Sequence, residues 1–330
     1  MLPCGAFLVL ACASAGAPKT ATVVPTSAPT CDLTAAGPWI AKWLDAWAFT
    51  SREILHLPDA PPPLIVFYDA RCVYTTSEVT APGAAIGDGP RLRGERLPWR
   101  TAPHDGTLML PNGKKTPVQL MSFTSGRPET GPFFVMAAPS FWEQAGHGGE
   151  PGLTGVFLHE FSHTRQLPGV APILGPIDAA WKFKEELDDD VVQTRFQSDP
   201  AYVQAYTDER DLLYRAASAD SITQTRALAA QARWFTGENA VFATLDDLWL
   251  SMEGAGQWTA AAWLAHPAGG GLSLDAAVVK MKGSGRHWTQ DEGLGLFLVV
   301  DRLLPQWPSL VYAKPSLGAA DLLARAVEEK

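Results

Sequence analysis

Several things are scarce in this chain, and each absence removes a class of protein. No segment reaches 18 uninterrupted apolar residues, so nothing in it reads as a membrane-spanning helix. There are four cysteines and no CxxC pair, which excludes a thiolate metal knuckle. Lys and Arg form no cluster and the net charge is −9, so nothing points to a nucleic-acid partner. No internal repeat recurs at a solenoid period. Charged residues make up only 18% against 46% hydrophobic, a globular balance rather than a disordered one.

What is present suits one large domain or two smaller ones over 330 residues. The twelve Trp are expected chiefly as core anchors, because large aromatics dominate burial energetics. Residues 1–16 read as a signal peptide or lipoprotein signal. Phe7 to Ala13 is a short apolar run, and Ala13-Ser14-Ala15 offers small cleavage positions. Val9-Leu10-Ala11-Cys12 resembles a lipobox, which would make Cys12 a lipidated N-terminus, although Met1-Leu2-Pro3 carries no positive charge. The chain is therefore expected to be exported: periplasmic, an envelope lipoprotein, or secreted. Residues 17–30, rich in Ala, Pro, Thr and Ser, read as a disordered linker. Cys31 and Cys72, left outside the signal, are compatible with one disulfide.

Residues 31–150 read as a mixed part and residues 151–330 as a helical part, an α+β layout. Trp39 to Leu57 has near-helical apolar spacing, and Leu64 to Thr75 reads as a strand. Residues 82–105 read as a loop. Thr107 to Leu110 and Val118 to Phe123 flank Pro111-Asn112-Gly113, a hairpin signal. Phe133 to Ala137 is a further strand. Helices are expected at Gly155–Gln166 with Thr154 as N-cap, Trp181–Gln197, Tyr202–Ala219, Ile222–Phe235, Thr244–Ala265 and Gln290–Leu304.

The chemistry concentrates in His159-Glu160-Phe161-Ser162-His163. Residues four apart share a helix face, so the two imidazoles point the same way and can share one Zn2+ ion. Glu160 lies one step further round, placed as general base towards a water on that ion. Burying two His and a Glu without metal or dense hydrogen bonding would be costly. A catalytic site needs a third protein ligand and one open position. Gln166-Leu167-Pro168-Gly169 lacks the third His of the long metzincin motif, so the third ligand is expected to be a carboxylate. Glu253, in Trp249-Leu250-Ser251-Met252-Glu253-Gly254-Ala255-Gly256-Gln257-Trp258, is the leading candidate. Glu186 or Glu185, in an acidic run ending Asp188-Asp189-Asp190, is the rival, and Glu209 a weaker option.

HEFSH together with WLSMEGAGQW resembles the gluzincin group of zinc metallopeptidases, in which a Glu-Gly helix start often carries the third ligand. The resemblance implies a zincin-like α+β fold and a peptide or protein substrate. It also implies an edge strand near Phe133–Ala137 that pairs with the substrate backbone. This chain has one more residue between Leu250 and Glu253 than the usual Trp-Leu-x-Glu-Gly, and 90 positions separate His163 from Glu253. Gly254 is expected to let the Glu253 helix approach the His helix closely. The Glu-x-x-x-Asp spacing of Glu186 resembles the thermolysin-like pattern instead, where Glu binds zinc and Asp orients a ligand His. Tyr206, Tyr214, His287 and Tyr312 are candidate donors to an oxyanion. Two other readings stay open: a non-catalytic envelope protein with a structural metal site, and a metal hydrolase of a non-peptide amide or ester.

Overall fold

The computed structural model describes residues 30–127, 129–147, 149–217, 233–282 and 286–328. The expected signal, linker and most of the expected helix Ile222–Phe235 lie outside them. The described residues form a mixed α+β structure with its sheet in the N-terminal part. They divide into two compact units, residues 30–51 with 59–164 and residues 52–58 with 165–328. No helix among them is long and apolar enough to cross a membrane.

The first unit is built on a five-stranded sheet of order β5-β2-β1-β9-β8. Its strands are β1 (Leu64–Tyr68), β2 (Cys72–Thr75), β5 (Arg100–Pro103), β8 (Ser122–Arg127) and β9 (Gly131–Ala137). Central β1 runs parallel to β9, and the other pairings are antiparallel. Ile65–Tyr68 and Phe133–Ala137 are buried at every position, the pattern of strands covered on both faces. The single strand expected over Leu64–Thr75 is two strands, because Asp69 makes a turn. Its Oδ1 accepts from the amides of Arg71 and Cys72, both at 2.8 Å. Part of the expected 82–105 loop is ordered as β3 (Arg91–Leu92), β4 (Glu95–Arg96) and β5. The Asn-Gly hairpin is present as β6 (Thr107–Met109) and β7 (Lys115–Pro117), with Gly113 at φ 79°. Its return strand is shorter and earlier than expected, and Ser122 onward joins the main sheet.

Helix α1 (Leu33–Phe49) starts at Asp32, which accepts from the Thr34 amide at 2.8 Å. It buries Ile40, Trp43, Leu44 and Trp47 at helical spacing. Trp43 stacks on Phe157 at 5.4 Å, and Phe134 meets Phe157 and Phe161 at 5.5 and 5.1 Å. Trp43, Trp99, Trp249 and Trp307 are fully buried, as core anchors should be. Cys31, just before α1, is disulfide-bonded to Cys72 of β2. A short helix α2 (Pro139–Gln144) follows the sheet.

Helix α3 (Gly152–Ala179) is longer than the sequence suggests and runs through Pro168, Pro172 and Pro176. A proline removes one helix hydrogen bond, so an end near Gln166 was the natural expectation. The three prolines lie four apart on one side, while Leu167, Val170 and Leu174 are buried on another; tertiary burial overrides the local penalty. Thr154 is inside the helix rather than at its N-cap, and Glu150 accepts from its hydroxyl at 2.7 Å.

The second unit is helical, with α4 (Val191–Phe196), α5 (Pro200–Ala216), α6 (Ala240–Ala265), α7 (Leu274–Lys282), α8 (Trp288–Leu303), α9 (Pro308–Val311) and α10 (Ala319–Glu328). Of the helix expected over Trp181–Gln197 only α4 forms. Before it, the Asp188 side chain takes the Asp190 amide at 3.1 Å, the local bond by which Asp competes with helix. Helices α6 and α8 pack backbone to backbone where Gly254 meets Gly293.

Candidate metal centre

Helix α3 carries His159, Glu160 and His163 in the first unit. Phe157 and Phe161 anchor it against α1 and β9, their ring centroids 5.0 Å apart. At about 100° per residue, the His pair lies on nearly the opposite side of the helix from the Phe pair. Packing on the sheet thus aims both imidazoles away from it. Thr124 of β8 fixes the same turn, donating to the Glu160 carbonyl at 2.7 Å in a buried bond. The hydroxyls of Ser162 and Thr164 bond back to the His159 and Phe161 carbonyls, both at 2.7 Å.

His159, Glu160 and His163 are 3%, 1% and 0% exposed. One ligand atom from each lies within 4.8 Å of the others. The two Nε2 atoms are 3.2 Å apart, with the rings at 89°. Two nitrogens bound to a tetrahedral Zn2+ at 2.0–2.1 Å are separated by ~3.3 Å, so the donor set fits an ion with little movement. The same distance also permits an N–H···N bond between the rings. The group could hold a metal ion.

No protein-family model, curated protein or solved structure matches this chain.

The candidates for a third ligand differ in their surroundings. Glu253 is mid-helix in α6 and 1% exposed. Glu186 is exposed, and the segment around it is not helical, so the one-turn spacing to Asp190 that its pattern requires does not form. Glu185 is buried, but its Oε1 faces Arg195 Nη1 at 3.3 Å. Glu209 is buried on α5. Gly254 does not have the role expected of it. A Cβ there would stand 2.6 Å from the Gly293 carbonyl, so its smallness serves the α6–α8 contact. The side chain that reaches the Glu253 turn is Gln166 of α3, completely buried, with Nε2 3.5 and 3.4 Å from the carbonyls of Ser251 and Met252.

Of the expected oxyanion donors, His287 has the most developed setting. Its Nδ1 is 3.1 Å from Asp190 Oδ2, and the ring is 31% exposed. That bond raises the imidazole's pKa, burial opposes it, and the charges of Asp190 and Glu253 add to the rise. Burial raises the phenols of Tyr206 and Tyr214 above their ordinary value. Tyr214 spends its hydroxyl on Asp291, and Tyr206 stacks on Trp288 at 4.3 Å. Tyr312 is within 3.4 Å of Thr259 Oγ1.

Three contacts escaped sequence reasoning: Thr124 beside the His helix in the first unit, and in the second unit Gln166 at the Glu253 turn and Asp190 as partner of His287. Only Asp190 left a signal, as the last member of the acidic run. The strand Phe133–Ala137 is not an edge: β9 is paired on both sides, and β8 is the edge beside it. Both cysteines among the described residues are in the disulfide, so neither offers a thiolate.

Proposed function

We propose that this chain is a metal-dependent hydrolase, and specifically an exported zinc metallopeptidase of gluzincin type. The observation that carries the reading is the 3.2 Å approach of the two imidazole Nε2 atoms with a buried carboxylate beside them. His159 and His163 would hold the ion. A zinc ion supplies Lewis acidity and lowers the pKa of a water next to it towards about 7. Glu160 takes the proton from the attacking water and returns it to the leaving group. Glu253 is the proposed third ligand; its burial and the anchoring of its turn by Gln166 support it over the exposed Glu186.

A zincin-like fold is consistent with the helix-on-sheet placement of the motif. Export is supported by the apolar N-terminus, and a disulfide is at home in an oxidising compartment. The experiment is cleavage of a mixed peptide library by the full-length protein, with and without a chelator. The expected result is cleavage that chelator abolishes and added Zn2+ restores. Cleavage unaffected by thorough metal removal, or no cleavage of any peptide, refutes the reading.

A further inference from the structure

Helix α3 meets the sheet of the first unit through two kinds of contact. Phe134 of β9 packs its ring on Phe157 and Phe161, with centroids 5.5 and 5.1 Å apart. Apolar burial of this sort is non-directional, so by itself it leaves the helix some freedom to turn or slide. The second contact is polar. Thr124 of β8 stands directly opposite Phe134 in the sheet, so the two side chains share the face that α3 covers. Thr124 is completely buried, and its hydroxyl donates to the Glu160 carbonyl at 2.7 Å.

That bond falls inside the His-Glu-His turn. One imidazole leaves the helix a residue before Glu160 and the other three residues after it. A helical carbonyl already accepts the amide four residues on, and its second lone pair is free for Thr124. The helix itself does not need the extra bond. The carbonyls on either side also accept a hydroxyl, from Ser162 on His159 and from Thr164 on Phe161, both at 2.7 Å. Those two bonds are local to α3, whereas Thr124 is 36 positions away and ties the turn to the sheet. Ser122, two residues earlier on the same face of β8, is buried with its hydroxyl meeting no partner among the described residues. The strand therefore does not bond to its surroundings through every hydroxyl on that face.

We propose that Thr124 is a positioning residue for the metal-binding turn. Its hydroxyl fixes the rotation and axial position of α3 at Glu160, so that His159 and His163 are presented to the ion in one arrangement. This rests on the metal-site reading of the motif and involves groups of the first unit alone.

The test compares the full-length wild type with Thr124→Val, which keeps the shape without the hydroxyl, and Thr124→Ser, which keeps the hydroxyl. Zinc affinity is read by competition with a chromophoric chelator, and stability by urea unfolding of the metal-free protein. Losing a hydrogen-bond partner that orients a metal site weakens metal binding about 10–100-fold, and Thr124→Val should fall in that range. Thr124→Ser should bind zinc as wild type does. If Thr124→Val does not fold, Thr124→Ala takes its place with the same expectation. A residue that only supports the fold would lower the urea midpoint of Thr124→Val and leave its zinc affinity alone. That result overturns the assignment while the metal reading stands, and so does a Thr124→Ser protein that binds no better than Thr124→Val. A wild-type protein that binds no zinc overturns both.

Discussion

Gly254→Ala isolates the packing that sets the Glu253 helix in place. The new Cβ would lie 2.5 Å from Phe297 Cδ2, 2.6 Å from the Gly293 carbonyl oxygen and 2.8 Å from the Gly293 carbonyl carbon. Carbon atoms in good contact sit about 3.5–4.0 Å apart, so the two helices must separate by roughly 1 Å. Two of the three obstacles are backbone atoms, which no rotamer change can clear. Overpacking of this kind costs about 1–3 kcal/mol, and the upper end applies here. Against it stands the helix-propensity gain of Ala over Gly, about 1 kcal/mol. The net expectation is a loss of about 2 kcal/mol. Gly37 in α1 provides the opposite sign, because a Cβ there meets nothing within 4 Å. Gly37→Ala should gain up to about 1 kcal/mol. Urea unfolding followed by tryptophan fluorescence reads both from the midpoint. A Gly254→Ala protein as stable as wild type, or more so, would show that α6 and α8 do not meet through these glycines.

The remaining predictions concern ligands, the disulfide and pH. In zinc titrations, Glu253→Ala should release the ion or weaken it sharply, whereas Glu186→Ala should have little effect; the reverse order would move the third ligand to Glu186. Replacing both Cys31 and Cys72 by Ala opens a cross-link spanning 41 positions and should cost about 4 kcal/mol on the loop-closure relation, read by denaturant unfolding; an unchanged midpoint contradicts it. Burial, with the neighbouring charges of Asp190 and Glu186, pushes the Asp188 carboxyl up to about 6. The folded state therefore binds more protons than the unfolded state between about pH 4 and 6, and Asp188 makes stability fall as pH rises through that window. Asp188→Asn should remove that part of the slope and raise stability at pH 7 relative to wild type; an identical pH profile of unfolding midpoints would dismiss it.

The clustering of His159, Glu160 and His163 was legible because their spacing matches the helix period and their apolar neighbours, Phe157 and Phe161, announce which face packs. The α1 core and the Asn-Gly hairpin were legible for the same reason: each rests on a local rule. Misreadings came where side chains or distant packing decide. Asp69 splits an apolar run into two strands by bonding its own backbone, which a hydrophobic pattern does not reveal. The prolines of α3 announce a stop that burial of Leu167, Val170 and Leu174 overrides. The acidic run looks like a helix with a one-turn Glu–Asp pair, but its aspartates bond locally and no helix forms until Val191. Gly254 was correctly marked as a close-approach residue, yet its partner is Gly293, 39 positions away, and sequence spacing carries no information about that. Gln166 and Asp190 make their contacts across 85 and 97 positions, beyond any local motif.

The central claim is that His159 and His163 hold a catalytic metal while Glu160 moves the proton. Glu160→Gln separates those functions, because the amide keeps the shape of the side chain but cannot act as a base. The decisive measurement is zinc content and peptide turnover on the same Glu160→Gln preparation. The account predicts about one zinc per chain, as in wild type, with turnover lowered by at least about 10²–10⁴. Near-normal turnover, or a wild-type protein that binds no zinc, would contradict it.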